Sequence, residues 1–295
     1  MSERGAHARP TATTAATGTA DTGHADAGPA PRTARAGPAV RTARAKLTTH
    51  LRIVDTRADG YHVLDAEMVT LALADTLTFT DIDGSAESRL SVSGPWAAGV
   101  PTDGRNLVRR ALERMGRRAD VNLVKNIPAG GGLGGGSADA AAALAWAGCS
   151  DLAVAASLGA DVPFCLSGLA RAAVGGIGEL LDERPFEARY YTLVLLPFGV
   201  DTAAVYRAWD DLDASRREGS REGGNQRNNQ RNGLEAAAVM VDPRLVTWRD
   251  RIAAAAGTAP TLAGSGSTWF LEGVHPDLGP CLPGATVVVT RTDRP

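Results

Sequence analysis

Six of the seven residues from 130 to 136 are glycine, in the stretch Pro128-Ala-Gly-Gly-Gly-Leu-Gly-Gly-Gly-Ser-Ala-Asp-Ala-Ala. Glycine at that density disfavours helix and strand alike, because each one loses more backbone freedom on ordering than any other residue. The run therefore has to be a loop. Its flanks say what kind. Residues 121–127 (VNLVKNI) read as a strand, and residues 137–146 (SADAAAALAW) as an alanine-rich helix able to pack closely. A strand, a glycine loop and a helix in that order let successive backbone N–H groups converge on one point. The helix N-terminus behind them adds unpaired donors and positive potential. Pro128, Gly130, Gly131, Gly132, Leu133, Gly134, Gly135, Gly136 and Ser137 are thus candidates for a phosphate cradle, with Ser137 expected to cap the helix. A flexible linker would need neither flank.

Several phosphate-binding classes do not match this loop or the chain after it. Gly130, Gly132 and Gly135 formally satisfy the dinucleotide fingerprint, but so many glycines satisfy almost any spacing. No lysine stands between Gly136 and Ser137, as a Walker A loop requires, and no His-Arg-Asp or Asp-Phe-Gly segment of a protein kinase comes later.

Over 295 residues, 44% hydrophobic, a sizeable core can be buried, and a net charge of −2 supplies no field for nucleic acid or an anionic membrane. No apolar run reaches the length of a membrane span. Cys149, Cys165 and Cys281 are widely spaced and match no zinc or disulfide pattern, which points to a reducing, cytoplasmic setting. Of 31 basic residues only Lys46 and Lys125 are lysine, so both positions stand out. Residues 1–40 carry almost no large apolar side chain and read as a disordered tail, and residues 215–233 (SRREGSREGGNQRNNQRNG) read as a flexible surface insertion. Elsewhere strands near 73–79, 191–200 and 285–291 mix with helices near 203–212 and 245–256, and Asn106 reads as a cap for an apolar-faced helix from Leu107. The fold class is α+β.

The order Ala45-Lys46-Leu47, Asp59-Gly60-Tyr61-His62, the glycine loop, Leu158-Gly159-Ala160-Asp161-Val162-Pro163-Phe164 and Ala263-Gly264-Ser265-Gly266-Ser267 resembles the GHMP small-molecule kinases, over residues of about 42 to 290. The second and fourth segments resemble the branch that phosphorylates the 2-hydroxyl of a cytidine diphosphate-linked methylerythritol. That resemblance implies a two-domain fold: a ribosomal S5 domain 2-like unit over 41–185 and a ferredoxin-like unit over 186–295, with the active site in the cleft between them. It implies ATP and Mg²⁺ as cofactors and a small-molecule substrate, with no nucleic-acid or membrane partner, in a monomer or weak homodimer. Asp161 takes the place of the catalytic base and Lys46 that of its electrostatic partner. Ser137 would meet phosphate or Mg²⁺, and Lys125 either reaches the nucleotide or lies on the strand edge. Tyr61 and His62 would read the cytidine, Tyr206 would supply a second stacking face, and Gly264, Ser265 and Gly266 would close on the site. The chain departs from the family pattern in three places. Arg44 stands where proline is expected and Thr48, a substrate contact by position, where asparagine is, and the stretch from Asp139 to Asp161 is short. Kinases for other small alcohols and a non-catalytic nucleotide-binding relative are the alternatives.

Overall fold

A computed structural model describes residues 37–82, 87–219 and 231–295, with 215–219 as backbone alone. The expected tail up to residue 36 and residues 220–230 of the expected insertion lie outside these ranges.

In chain order the elements are β1 (Ala39–Thr56), β2 (His62–Asp81), β3 (Leu90–Ser93), α1 (Leu107–Arg114), β4 (Ala119–Val124), α2 (Gly135–Trp146), α3 (Leu152–Ala156), α4 (Val162–Ser167), β5 (Arg171–Gly175) and β6 (Leu180–Glu183). There follow β7 (Tyr190–Leu195), α5 (Thr202–Gly219), α6 (Glu235–Val241), α7 (Arg244–Ala256), β8 (Thr261–Leu262), β9 (Trp269–Glu272), α8 (Leu278–Cys281) and β10 (Thr286–Arg291). The first six strands form one sheet, ordered β3-β4-β2-β5-β6 with β1 also on β2, and the last four form a second, ordered β10-β7-β9-β8. Among the described residues no helix is long and apolar enough to cross a membrane.

The long antiparallel hairpin of β1 and β2 is the frame of the first sheet. Its register runs from Ala39 opposite Phe79 to Thr56 opposite His62, with shifts between Arg44 and Lys46, Thr48 and His50, and Ile53 and Asp55. The expected tail therefore ends earlier than residue 40, because Ala39 and Val40 already pair with Phe79 and Thr78. Residues 45–48 of β1 are all buried, so the strand is covered on both faces and lacks the alternation of a half-exposed one. Ala45 and Leu47 pack into a cluster with Tyr191, Leu193, Leu195 and Phe270 of the second sheet. Lys46 and Thr48, two residues apart and hence on the opposite face, share a hydrogen bond.

Helices pack against the first sheet. Asn106 caps α1 as its sequence implies, its side chain accepting from the Val108 amide at 2.9 Å. Helix α2 buries Ala140 to Leu144 continuously, as a helix does when small side chains let neighbours close in on every side. The short stretch after it holds only the one-turn helices α3 and α4, the former capped by Asp151.

The expected surface insertion needs correction at its end. Asn232 is buried: its Nδ2 donates to the carbonyls of Leu262 (2.9 Å) and Gly264 (2.7 Å), and its Oδ1 accepts from the Leu234 amide. Residues 215–219 also continue helix α5 rather than starting a loop. Asn232 thus ties the turn at Gly264 to the start of α6, so Asn232→Ala strands more than one buried polar partner. Chemical denaturation should register a loss of about 2 to 4 kcal/mol, at about 1 to 3 for each stranded group.

Candidate active site

A cavity of about 350 Å³ opens where the glycine loop, β1, β2, the start of α5 and the turn at Gly264 meet. The loop is fixed to its surroundings through its carbonyl oxygens. Gly130 O accepts from the amides of Val200 and Ser267, Gly131 O from Thr268, and Leu133 O from Lys46. Anchoring therefore consumes none of the loop amides in these bonds, nor those of the first turn of α2. Gly130, Gly132 and Gly134 have φ of 68°, 76° and 66°, in the left-handed region. Gly134 occupies the cap position of α2, correcting the expectation for Ser137, which lies inside the first turn and lines the cavity. A side chain on Gly134 would meet the Lys46 stem at 2.7 Å, so this glycine makes room for the lysine to pass.

Lys46 Nζ lies 3.2 Å from Asp161 Oδ2 and donates to Thr48 Oγ1 at 3.0 Å. Asp161 occupies the cap position of α4, yet its carboxylate caps nothing; it turns instead toward the lysine and remains 30% exposed. An ordinary helix-start acid would spend its oxygens on the amides behind it. Lys46, by contrast, is almost wholly enclosed. Thr48 lines the same cavity, and its hydroxyl accepts from the ammonium that faces Asp161. Arg44, the other departure in this strand, pairs with Asp293 at 2.9 Å and does not line the cavity.

At the far end the lining becomes apolar with Leu51, Leu64, Met68 and Leu234, and Tyr206 projects from α5. His62 stacks on Tyr206 with ring centroids 5.0 Å apart and meets Trp209 edge-on at 5.3 Å. Its Nε2 lies 2.7 Å from Asp210 Oδ1. Tyr61 is more than half exposed in the turn before β2 and does not line the cavity, so the structure separates it from the ring cluster that His62 and Tyr206 form. Burial pushes the Tyr206 phenol well above its ordinary value. Gly264 and Ser265 line the cavity, whereas Gly266 and Leu133 do not; Thr202 Oγ1 lies 2.9 Å from Ser265 Oγ.

Lys125 does not reach the cavity. It is buried beneath the loop between Asp75 and Asp139. Sequence reasoning gave no role to those two acids, nor to Thr202, Asp210 and Asn232; Asp139 stands inside the glycine-loop motif but its contact with Lys125 is not readable there, and the partners of the others are distant in the chain. Among the described residues no three His, Cys, Asp or Glu side chains gather to hold a metal ion.

Residues 106–168 match the N-terminal domain of GHMP kinases. A protein of Jannaschia sp. (strain CCS1), a 4-diphosphocytidyl-2-C-methyl-D-erythritol kinase, is 37% identical over 239 residues, covering 77% of this chain and 85% of that one. The kinase of the same name from Corynebacterium efficiens is 38% identical over 192 residues, 57% of this chain, and the match spans only 60% of that protein's length. Among solved structures, that of a 4-(cytidine 5'-diphospho)-2C-methyl-D-erythritol kinase superposes with a TM-score of 0.62 at 30% identity, over 86% of this chain and 98% of that one. The mevalonate kinase of L. major shares the fold at a TM-score of 0.58 and 11% identity, over 87% of this chain and 96% of its own. With a relative of that name 37% identical over 85% of its length, a solved kinase of the same name superposing over 98% of its chain, and the GHMP domain matched at residues 106–168, the chain belongs to the 4-diphosphocytidyl-2-C-methyl-D-erythritol kinase family of GHMP kinases.

Proposed function

We propose that the chain transfers the γ-phosphoryl group of ATP to the 2-hydroxyl of 4-diphosphocytidyl-2-C-methyl-D-erythritol. The observation that carries this reading is the Lys46 and Asp161 pair, 3.2 Å apart, in one cavity with glycine-loop amides that the loop's anchoring bonds leave uncommitted. Phosphoryl transfer asks the protein for positioning and charge stabilisation above all. Asp161 accepts the proton of the attacking hydroxyl as its oxygen bonds to the γ-phosphorus and the bond to the β-phosphate oxygen breaks, releasing ADP. Lys46 stands beside that transfer and offsets charge on the phosphoryl oxygens. The amides of residues 130–136 and the Ser137 hydroxyl hold the nucleotide phosphates.

Ser137 and Asp161, both lining the cavity, are the groups that would face a Mg²⁺ brought in by the phosphates, which would supply neutralisation of their charge. The two sheets support reading 41–185 and 186–295 as two domains, since every strand of the first precedes residue 184 and every strand of the second follows residue 189. Free thiols at Cys149, Cys165 and Cys281 suit a cytoplasmic setting.

The test is a mixture of purified protein, Mg-ATP and the cytidine-linked acceptor, followed by ADP release and product mass. Product identifies the activity. ATP binding with no ADP release for this or any other small alcohol would instead mark a non-catalytic relative. The acceptor end has its own test. If Tyr206 gives a ring face to the cytosine, Tyr206→Ala should weaken binding of CDP by about fivefold or more, about 1 to 3 kcal/mol for a stacked base, measured by titration without ATP. Unchanged CDP affinity would place the base elsewhere.

A further inference from the structure

We propose that Asp210 is a positioning residue for the base end of the acceptor: through His62 it fixes the Tyr206 ring that lines the cavity. The inference rests on the kinase reading, which gives the acceptor a cytosine. Tyr206, Trp209 and Asp210 stand at i, i+3 and i+4 on α5 and so share one face of that helix. All three meet a single imidazole. His62 stacks on Tyr206 with centroids 5.0 Å apart and the rings inclined by 29°. It meets Trp209 nearly at right angles, at 85° and 5.3 Å, and places Nε2 2.7 Å from Asp210 Oδ1.

The three contacts fix different freedoms. Stacking on Tyr206 sets the plane of the imidazole, and Trp209 bounds it on a second side. Neither tells one edge of the ring from the other, because a ring turned over about its Cβ–Cγ bond stacks equally well. Asp210 does, since a carboxylate only accepts and the turned ring would offer it carbon in place of the Nε2–H. So seated, the imidazole covers one face of the Tyr206 phenol. Tyr206 lines the cavity, whereas His62 and Trp209 do not. His62 is therefore a backing for the tyrosine, and Asp210 holds the backing in place.

Docking the helix does not require this contact. Val205 of α5 is wholly enclosed in one core with Leu51 of β1 and Leu64 of β2, so the helix is tied to the hairpin independently of Asp210. The carboxylate is also the open member of its pair, with 49% of the Asp210 side chain exposed against 10% of His62's. A pair open to water contributes little to stability. Its effect lies in where a ring points. A base that stacks on a ring already held in plane does not have to order that ring as it binds, and the affinity keeps what the ordering would cost.

The test is titration of CDP, without ATP, into the wild type, Asp210→Ala and Asp210→Asn, with Mg-ATP titrated into the same proteins and their melting temperatures taken. Asp210→Ala is expected to weaken CDP binding by about threefold to tenfold, part of what a stacked base contributes, while Mg-ATP affinity and melting temperature stay close to the wild type's. Asp210→Asn keeps a carbonyl oxygen for the Nε2–H and is expected to restore CDP affinity to within about twofold. In a Tyr206→Ala background, Asp210→Ala is expected to add no further loss, because the ring it positions is gone.

Unchanged CDP affinity in Asp210→Ala would overturn the proposal, with or without a lowered melting temperature, since a fall in melting alone is a purely structural role. So would a loss that asparagine does not restore, a parallel loss of Mg-ATP affinity, or an undiminished loss in the Tyr206→Ala background. If Asp210→Ala does not fold, Asp210→Ser, too short to reach Nε2, takes its place; failure of both to fold would mark a structural role and overturn the proposal. A wild type that binds CDP while these expectations fail leaves the kinase reading standing. A wild type that binds no CDP removes the cytidine-linked acceptor and this inference together.

Discussion

Replacing Asp161 with asparagine should lower kcat by about three orders of magnitude while the dissociation constant of Mg-ATP stays within about threefold of the wild type. The carboxylate and the amide have nearly the same shape, and neither caps α4, so folding should not respond. What disappears is a group able to accept a proton beside the transferred phosphoryl. Lys46 remains, still bonded to Thr48 at 3.0 Å, and the loop amides remain, so the nucleotide keeps its contacts. The measurement is a steady-state assay with the acceptor saturating, alongside calorimetric titration of Mg-ATP into the same protein. A kcat within tenfold of the wild type would remove Asp161 from the proton transfer. A large loss of Mg-ATP affinity would instead assign the carboxylate to cofactor binding, an outcome consistent with its partial exposure in the cavity.

What the sequence shows by itself is local: the glycine loop between strand and helix and the Asn106 cap each announce a role within a few residues of themselves, whereas the roles of Lys46 and Asp161 come from the family resemblance, because the two meet only in the fold. What the sequence hides is set by distant partners. Strand β1 escapes a period-two reading because both its faces are covered, one by the second sheet and one by the cavity. Asn232 sits in a run of Asn, Gln, Arg and Gly that reads as solvated, and only the carbonyls of Leu262 and Gly264 give it a reason to be buried. Lys125 stands next to the loop in sequence and looks like a nucleotide contact, but Asp75, fifty residues earlier, draws it beneath the backbone. The aromatic pair divides in a similar way. His62 points inward along β2 and finds Tyr206, while Tyr61, one residue before it, falls in the turn and faces out.

The glycines themselves are not equivalent, and the second large effect comes from telling them apart. Gly132→Ala should destabilise the protein by several kcal/mol, on the order of the most damaging single substitutions, and weaken Mg-ATP binding by tenfold or more in whatever fraction folds. Its φ of 76° already costs a residue with a side chain about 1 to 2 kcal/mol. The added methyl would also lie 2.0 Å from Ala263 O and 3.0 Å from Gly266 O. Both are backbone atoms, so no rotamer change relieves the contact; the loop and the Gly264 turn must part, and both line the cavity. Gly136→Ala is the control. Its nearest neighbour would be Leu107 Cδ1 at 3.8 Å, an ordinary contact, and alanine favours a helix over glycine by about 1 kcal/mol. That variant should melt at or above the wild-type temperature. Equal melting temperatures for the two variants would mean that the loop and the turn can separate freely, and the cavity would then owe its shape to something other than their contact.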